Sequence, residues 1–231
     1  MNMNVTMETY AVPGLDRRTV IAVFSSLGLL LAWSFGSSLL EAGPISASII
    51  TYCLYIFYWY YAIRFKNPLI YRLVIFGTVA GILELVTDHY LVDTINSLIY
   101  PGNELMIWSS PAYMPFAWSN VLLQLGFIGV WLTKKYNIFK ASVILSIAGG
   151  MYIPIYEHLA KDAGWWIYNN NTTMIFNAPV YVILCEALIS LSLPLLIFYS
   201  LDRKPIRAIT LGIVEGVWIL LSAALAFGLA R

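Results

Sequence analysis

The side chains best suited to chemistry lie between Gly77 and Trp118. The stretch reads Gly77-x3-Gly81-x2-Glu84-x3-Asp88-His89, passes through a polar run from Asp93 to Ser110, and ends in Pro111-Ala-Tyr113-Met-Pro115-Phe-Ala-Trp118. Gly77, Gly81, Glu84 and Asp88 fall at i, i+4, i+7 and i+11, which is one stripe of a helix. The glycines let a second backbone come close, and two carboxyls project from the same side. Acids in apolar surroundings are costly, so their presence points to function. Glu157, Asp162 and Glu186 lie toward the same end of later apolar runs, and no Lys or Arg falls mid-span to neutralise any of these acids. The expected product is a protonated acid beside an ionised one. The neutral acid can give a proton to a weak base, including an alkene; its ionised partner can stabilise a cation or take a proton back. The competing reading is structural, with the acids bonding helices to one another or to loop amides.

Aromatic residues crowd the same end of the chain's apolar runs, and their faces could stabilise a carbocation. Trp165, Trp166 and Tyr168 read first as an interfacial belt, which Trp and Tyr form in membrane proteins generally. Trp118 lies deeper, beside Asn120, and reads as part of a pocket. The expected catalytic acids are therefore Glu84, Asp88, Glu157 and Asp162. The expected substrate-binding residues are Tyr113, Trp118, Asn120, Tyr152, Tyr156, Tyr181 and Glu186. Metal-ligand types are present in Glu84, Asp88, His89, Glu157, His158 and Asp162, but the chain has only two histidines, and no metal or other cofactor is expected. A retinal Schiff base needs a lysine within a span, and the apolar runs hold none.

These residues must be positioned by membrane helices. Of the 231 residues, 60% are hydrophobic and 11% charged, against about 25% charged in soluble domains. The composition implies an all-α integral membrane protein. A net charge of +1 offers nothing to nucleic acid. Cys53 and Cys185 sit in apolar runs and read as packing residues. At about 20 residues per crossing, seven spans fit: Thr19–Leu40, Ile45–Ile63, Ile70–Leu91, Ala112–Leu132, Ala141–His158, Ala178–Tyr199 and Ala208–Ala230. Residues 1–18 form a polar N-terminal segment and residues 19–231 a single membrane domain. Eleven of the thirteen Lys and Arg residues fall on one side of these spans, and only Lys161 and Arg231 on the other. That asymmetry predicts a cytoplasmic N-terminus, with the C-terminus opposite.

An internal repeat is also expected. Adding 73 to Gly77, Gly81 and Glu84 gives Gly150, Pro154 and Glu157. A histidine, an aromatic loop and a proline-bearing lead-in follow in each case, Pro111-Ala-Tyr113 and Ala178-Pro179-Val-Tyr181. Spans 3–4 and 5–6 thus read as two copies of one hairpin, an arrangement known among membrane proteins.

Over Glu84 to Trp118 and Glu157 to Glu186, this pattern resembles the carotenoid hydratase and membrane lycopene cyclase group of isoprenoid-biosynthesis enzymes. The cyclases carry Pro-x-Glu-Glu, where this chain has Pro154-Ile-Tyr-Glu157. The resemblance implies acid-initiated chemistry on a hydrophobic isoprenoid or lipid-like substrate. The enzyme would protonate an alkene or epoxide and then cyclise, hydrate or isomerise it. The alternative from a different class is a non-enzymatic membrane binder or carrier of a lipid or small hydrophobic molecule. The topology is directly testable: reporters fused to the two ends should report opposite sides, with the N-terminal one cytoplasmic. Two cytoplasmic termini would refute the span count.

Overall fold

The helices of this chain begin where the sequence supplies caps. In the computed structural model, which describes residues 12–102, 104–201 and 204–230 (the side chain of Leu201 excepted), Asp16 accepts the Thr19 amide at 2.8 Å and opens α1 (Arg17–Leu39). Pro44 opens α2 (Pro44–Arg64) from the first turn, and Asn67 caps α3 (Pro68–His89) by accepting the Ile70 amide at 3.0 Å. After α4 (Met114–Lys135), Asn137 does the same for α5 (Ile138–Asp162) through the Lys140 amide at 2.8 Å. Two further helices follow, α6 (Val180–Leu201) and α7 (Ile206–Leu229). Most of the polar N-terminal segment, together with Arg203 and Arg231 of the charge count, lies outside the described residues.

Six of these helices are long and apolar enough to cross a membrane; α2 is not among them. Its hydropathy is lowered by the hydroxyls of Tyr52, Tyr55, Tyr58, Tyr60 and Tyr61. Large apolar side chains such as Leu29, Phe35, Ile147 and Leu221 face outward. Lipid is the solvent that tolerates such a surface, and the architecture is that of a multi-pass membrane protein.

Close backbone approach fixes the centre of the bundle. A Cβ on Gly77 would stand 2.7 Å from the Ser119 carbonyl, and one on Gly81 would collide with the Pro115 carbonyl. The glycine stripe of α3 therefore lies against the first turns of α4. From the other side, a Cβ on Gly212 would meet the Phe76 carbonyl at 2.7 Å, so α7 is seated on α3 in the same way. Helices α5 and α6 complete the group, while α1 and α2 pack on its flank.

The long loops share one end of the bundle. After α3 a π-helical turn (Tyr90–Thr94) leads into β1 (Leu98–Ile99) and a short hairpin of β2 (Met106–Ile107) and β3 (Ser110–Pro111). After α5 come β4 (Ile167–Tyr168) and a matching hairpin of β5 (Met174–Ile175) and β6 (Ala178–Pro179). Strands β1 and β4 pair antiparallel, Leu98 with Tyr168 and Ile99 with Ile167, which ties one loop to the other.

The glycine contact predicts a sharp contrast. Gly81→Val should lower stability by about 1–3 kcal/mol or abolish folding, the usual range for overpacking. Gly28→Ala should be tolerated, because a Cβ there meets nothing within 4 Å. Thermal unfolding of both variants in detergent provides the measurement.

Candidate functional site

Glu84 and Asp88 stand one turn apart on α3, on the face that the glycine stripe has already brought next to α4. Both are buried, at 1% and 2% exposure. Glu157 projects from α5 and Glu186 from α6 toward the same space. Together they line a cavity of about 130 Å³ enclosed by α3, α4, α5, α6 and α7 beneath the two loops. Among the described residues lining it there is no Lys, Arg or His. Any donor to these carboxyls from the cavity wall is therefore an uncharged group.

Each loop supplies one donor. The Tyr100 hydroxyl, just after β1, donates to Asp88 Oδ2 at 2.6 Å, and the Trp166 indole, just before β4, donates to Glu157 Oε2 at 2.5 Å. Burial, reinforced by the Asp88 and Glu84 carboxyls, holds the Tyr100 phenol well above its usual range, so it remains a protonated donor. Burial and then Glu157 act in the same sense on Tyr168. Glu84 lies within hydrogen-bonding reach of Asp88 and of the Trp118 indole, yet its Oε2 is buried with no partner among the described residues. Leaving such a group unsatisfied costs about 1–3 kcal/mol, more when it is charged. None of the described residues donates a hydrogen bond to the half-buried Glu186. Trp118, Tyr152, Tyr156 and Tyr181 complete the aromatic wall.

Several expected site residues lie elsewhere. Asp162 is at the exposed end of α5, 43% accessible and 3.6 Å from His158, outside the cavity. Asn120 does not line the cavity; its amide donates to the Thr51 carbonyl at 2.9 Å, so it faces α2. Tyr113 is buried in a separate apolar cluster with Met114 and Trp165. The belt reading of Trp165, Trp166 and Tyr168 is also corrected. Trp165 is buried and donates to Ser46 Oγ at 2.7 Å, while Trp166 and Tyr168 line the cavity. Tyr100 and Thr87, which no sequence signal marks, also line it, as does Cys185, read above as a packing residue. Glu215 on α7 is fully buried outside the cavity and accepts from Ser192 at 3.0 Å.

The chain belongs to the DUF6989 family. The model of that family, a domain of unknown function, matches residues 85–230. The DUF6989 stretch thus begins one residue after Glu84 and contains Asp88, Glu157 and Glu186, both loops and the helices from α4 to α7. Helices α1 and α2 fall outside it and do not line the cavity. No curated protein and no solved structure matches the chain.

The strand that ties the loops over this site can be trapped. With Cys53 and Cys185 replaced by Ala, the pair Ile99→Cys and Ile167→Cys should form a disulfide under mild oxidation, because facing antiparallel residues lie within bridging distance. Ile99→Cys with Asn171→Cys should not. Mass mapping of the oxidised protein decides between the pairings.

Proposed function

We propose that this protein is a membrane-embedded enzyme that starts the cyclisation, hydration or isomerisation of an apolar, isoprenoid-like substrate by giving it a proton. The observation that carries the reading is the convergence of four carboxyls on one cation-free cavity walled by aromatic rings. In this reading the Glu84–Asp88 pair shares a proton. The acid O–H delivers it to one alkene carbon; the π pair becomes the new C–H bond and leaves a cation on the neighbouring carbon. The faces of Trp118, Tyr152 and Tyr156 stabilise that cation. It closes on a second double bond, loses a proton, or is captured by water, and the proton released goes to Glu157 or Glu186. One proton enters and one leaves, so the net change is isomerisation or addition of water, with no cofactor consumed.

The same proposal takes α2 as a seventh span, with the N-terminus cytoplasmic and the loops and C-terminus opposite. It also takes α3–α4 and α5–α6 as a duplicated hairpin. Supporting the duplication are the two hairpins, Met106 facing Pro111 and Met174 facing Pro179, and the side-chain contacts His89–Asp93 and His158–Asp162. These fall at offsets of 68 (174 less 106) and 69 (158 less 89), not 73, which sets Glu157 opposite Asp88 instead of Glu84. Away from the loops the bundle is filled by Phe127, Leu145, Leu193 and Ile197, all buried. A blind cavity of this kind favours an enzyme over a carrier, which needs a path through the other half.

The test is product formation in an isoprenoid-producing host, read as the difference between lipid extracts with and without expression. Glu84→Gln, Asp88→Asn and Glu157→Gln keep size and hydrogen bonding but remove the acid. At matched protein level each should lose turnover by about 100-fold or more, the scale of general acid catalysis. Activity within a few-fold of wild type in all three would sink the acid mechanism and leave a binder.

A further inference from the structure

The carboxyls of the cavity lie at one end only. Depth can be read along each helix at about 1.5 Å per residue. Asp88 lies one residue from the loop end of α3, Glu84 and Glu157 five residues from the loop ends of α3 and α5, and Glu186 six residues into α6. All four carboxyls therefore attach within about 9 Å of the loop end. The deepest lining residues are Leu125, eleven residues into α4, Gly149, thirteen residues before the end of α5, and Ile219, ten residues before the end of α7. These lie about 15–20 Å from the loop end. The deep half holds no carboxyl; its walls are Leu125, Ile153, Ile219 and the ring of Tyr152.

At the deep end α5 and α6 come together. A Cβ on Gly149 would collide with Ser190 Oγ, so α5 and α6 touch at that level. The lining residues thus span about 15–20 Å of depth around a volume of about 130 Å³, an elongated shape that suits a linear chain.

We infer that the slot takes a linear apolar chain tail first, and that Leu125, Gly149 and Ile219 form the floor that limits its length. The position of the reacting double bond, near the loop end, rests on the acid reading above; the length limit rests on the floor alone. The substrate class is thus an unsaturated chain not yet cyclised, whose far end meets Leu125 and Ile219 while its reacting end stays beneath Tyr100 and Trp166.

The experiment uses the purified full-length protein in detergent and all-trans prenyl alcohols of ten, fifteen and twenty carbons, with binding followed by native mass spectrometry. The readout is the ratio of affinity for the twenty-carbon to the ten-carbon alcohol within each variant, which is insensitive to a general loss of active protein. Leu125→Phe raises the floor and should lower that ratio about tenfold, and Ile219→Ala deepens it and should raise the ratio by a similar factor, the scale of one or two buried methylenes. Ratios unchanged within twofold in both variants, or no binding of any of the three alcohols, would overturn the inference. Glu84→Gln separates the two readings. If it keeps full turnover while the floor variants shift the ratio, the acid mechanism fails and the floor stands. If it loses turnover while the ratios stay fixed, the floor fails alone.

Discussion

Carboxyls placed in an apolar cavity without a cation must be held by neutral donors, and much of the loop end of this bundle serves that requirement. Desolvating an acid is unfavourable unless hydrogen bonds replace the lost water. Here Tyr100 and Trp166 provide them to Asp88 and Glu157. Neither donor is on a helix. Each is set by a loop that pairs with the other through β1 on β4, so one strand contact between the loops helps position both donors. A second bond joins the same loops, from the Asn169 side-chain amide to the Asn96 carbonyl, and the Tyr181 hydroxyl of α6 donates to Ser97, both at 2.8 Å. The loops are thus part of the site and not a cover laid over it.

On the other side of the cavity, α3 does two things with one face. Gly77 and Gly81 let α4 approach until backbone meets backbone, and the next residues on that stripe are Glu84 and Asp88. The approach brings Trp118 to Glu84. Side chains at the glycine positions would push α4 outward, and Trp118 with it, so the packing of the middle of the bundle and the geometry of the acids are coupled. Gly212 extends the same device to α7, whose Ile219 and Ala223 form part of the cavity wall.

Much of the helical architecture was legible in the apolar runs and their caps. The expected third span, Ile70–Leu91, and the observed α3, Pro68–His89, differ by Pro68 and Leu69 at the start and by the first two residues of the π-helical turn at the end. Of the site, the α3 stripe and Glu157 were legible because helical spacing fixes which way a side chain points once one face is known. The misses follow from the same geometry. Asn120 is two residues beyond Trp118, which on a helix is more than half a turn away and faces α2. Asp162 is beyond the last buried turn of α5, so its carboxyl meets His158 at the surface instead of the cavity. Tyr100, Trp166 and Tyr168 belong to loops, where no period assigns a face. Their placement depends on pairing between strands about 69 residues apart, which no local pattern discloses.

The central claim, that a carboxyl of this cavity places a proton on carbon, is tested most directly with isotope. Membranes carrying the protein would be incubated in heavy water with a lipid extract from the same isoprenoid-producing host lacking it, and the lipids compared by mass spectrometry. The account predicts that one lipid is consumed and that its isomer or hydrate appears with one deuterium bound to carbon, only when the protein is present. A product formed without carbon-bound deuterium, or no lipid consumed at all, would contradict it.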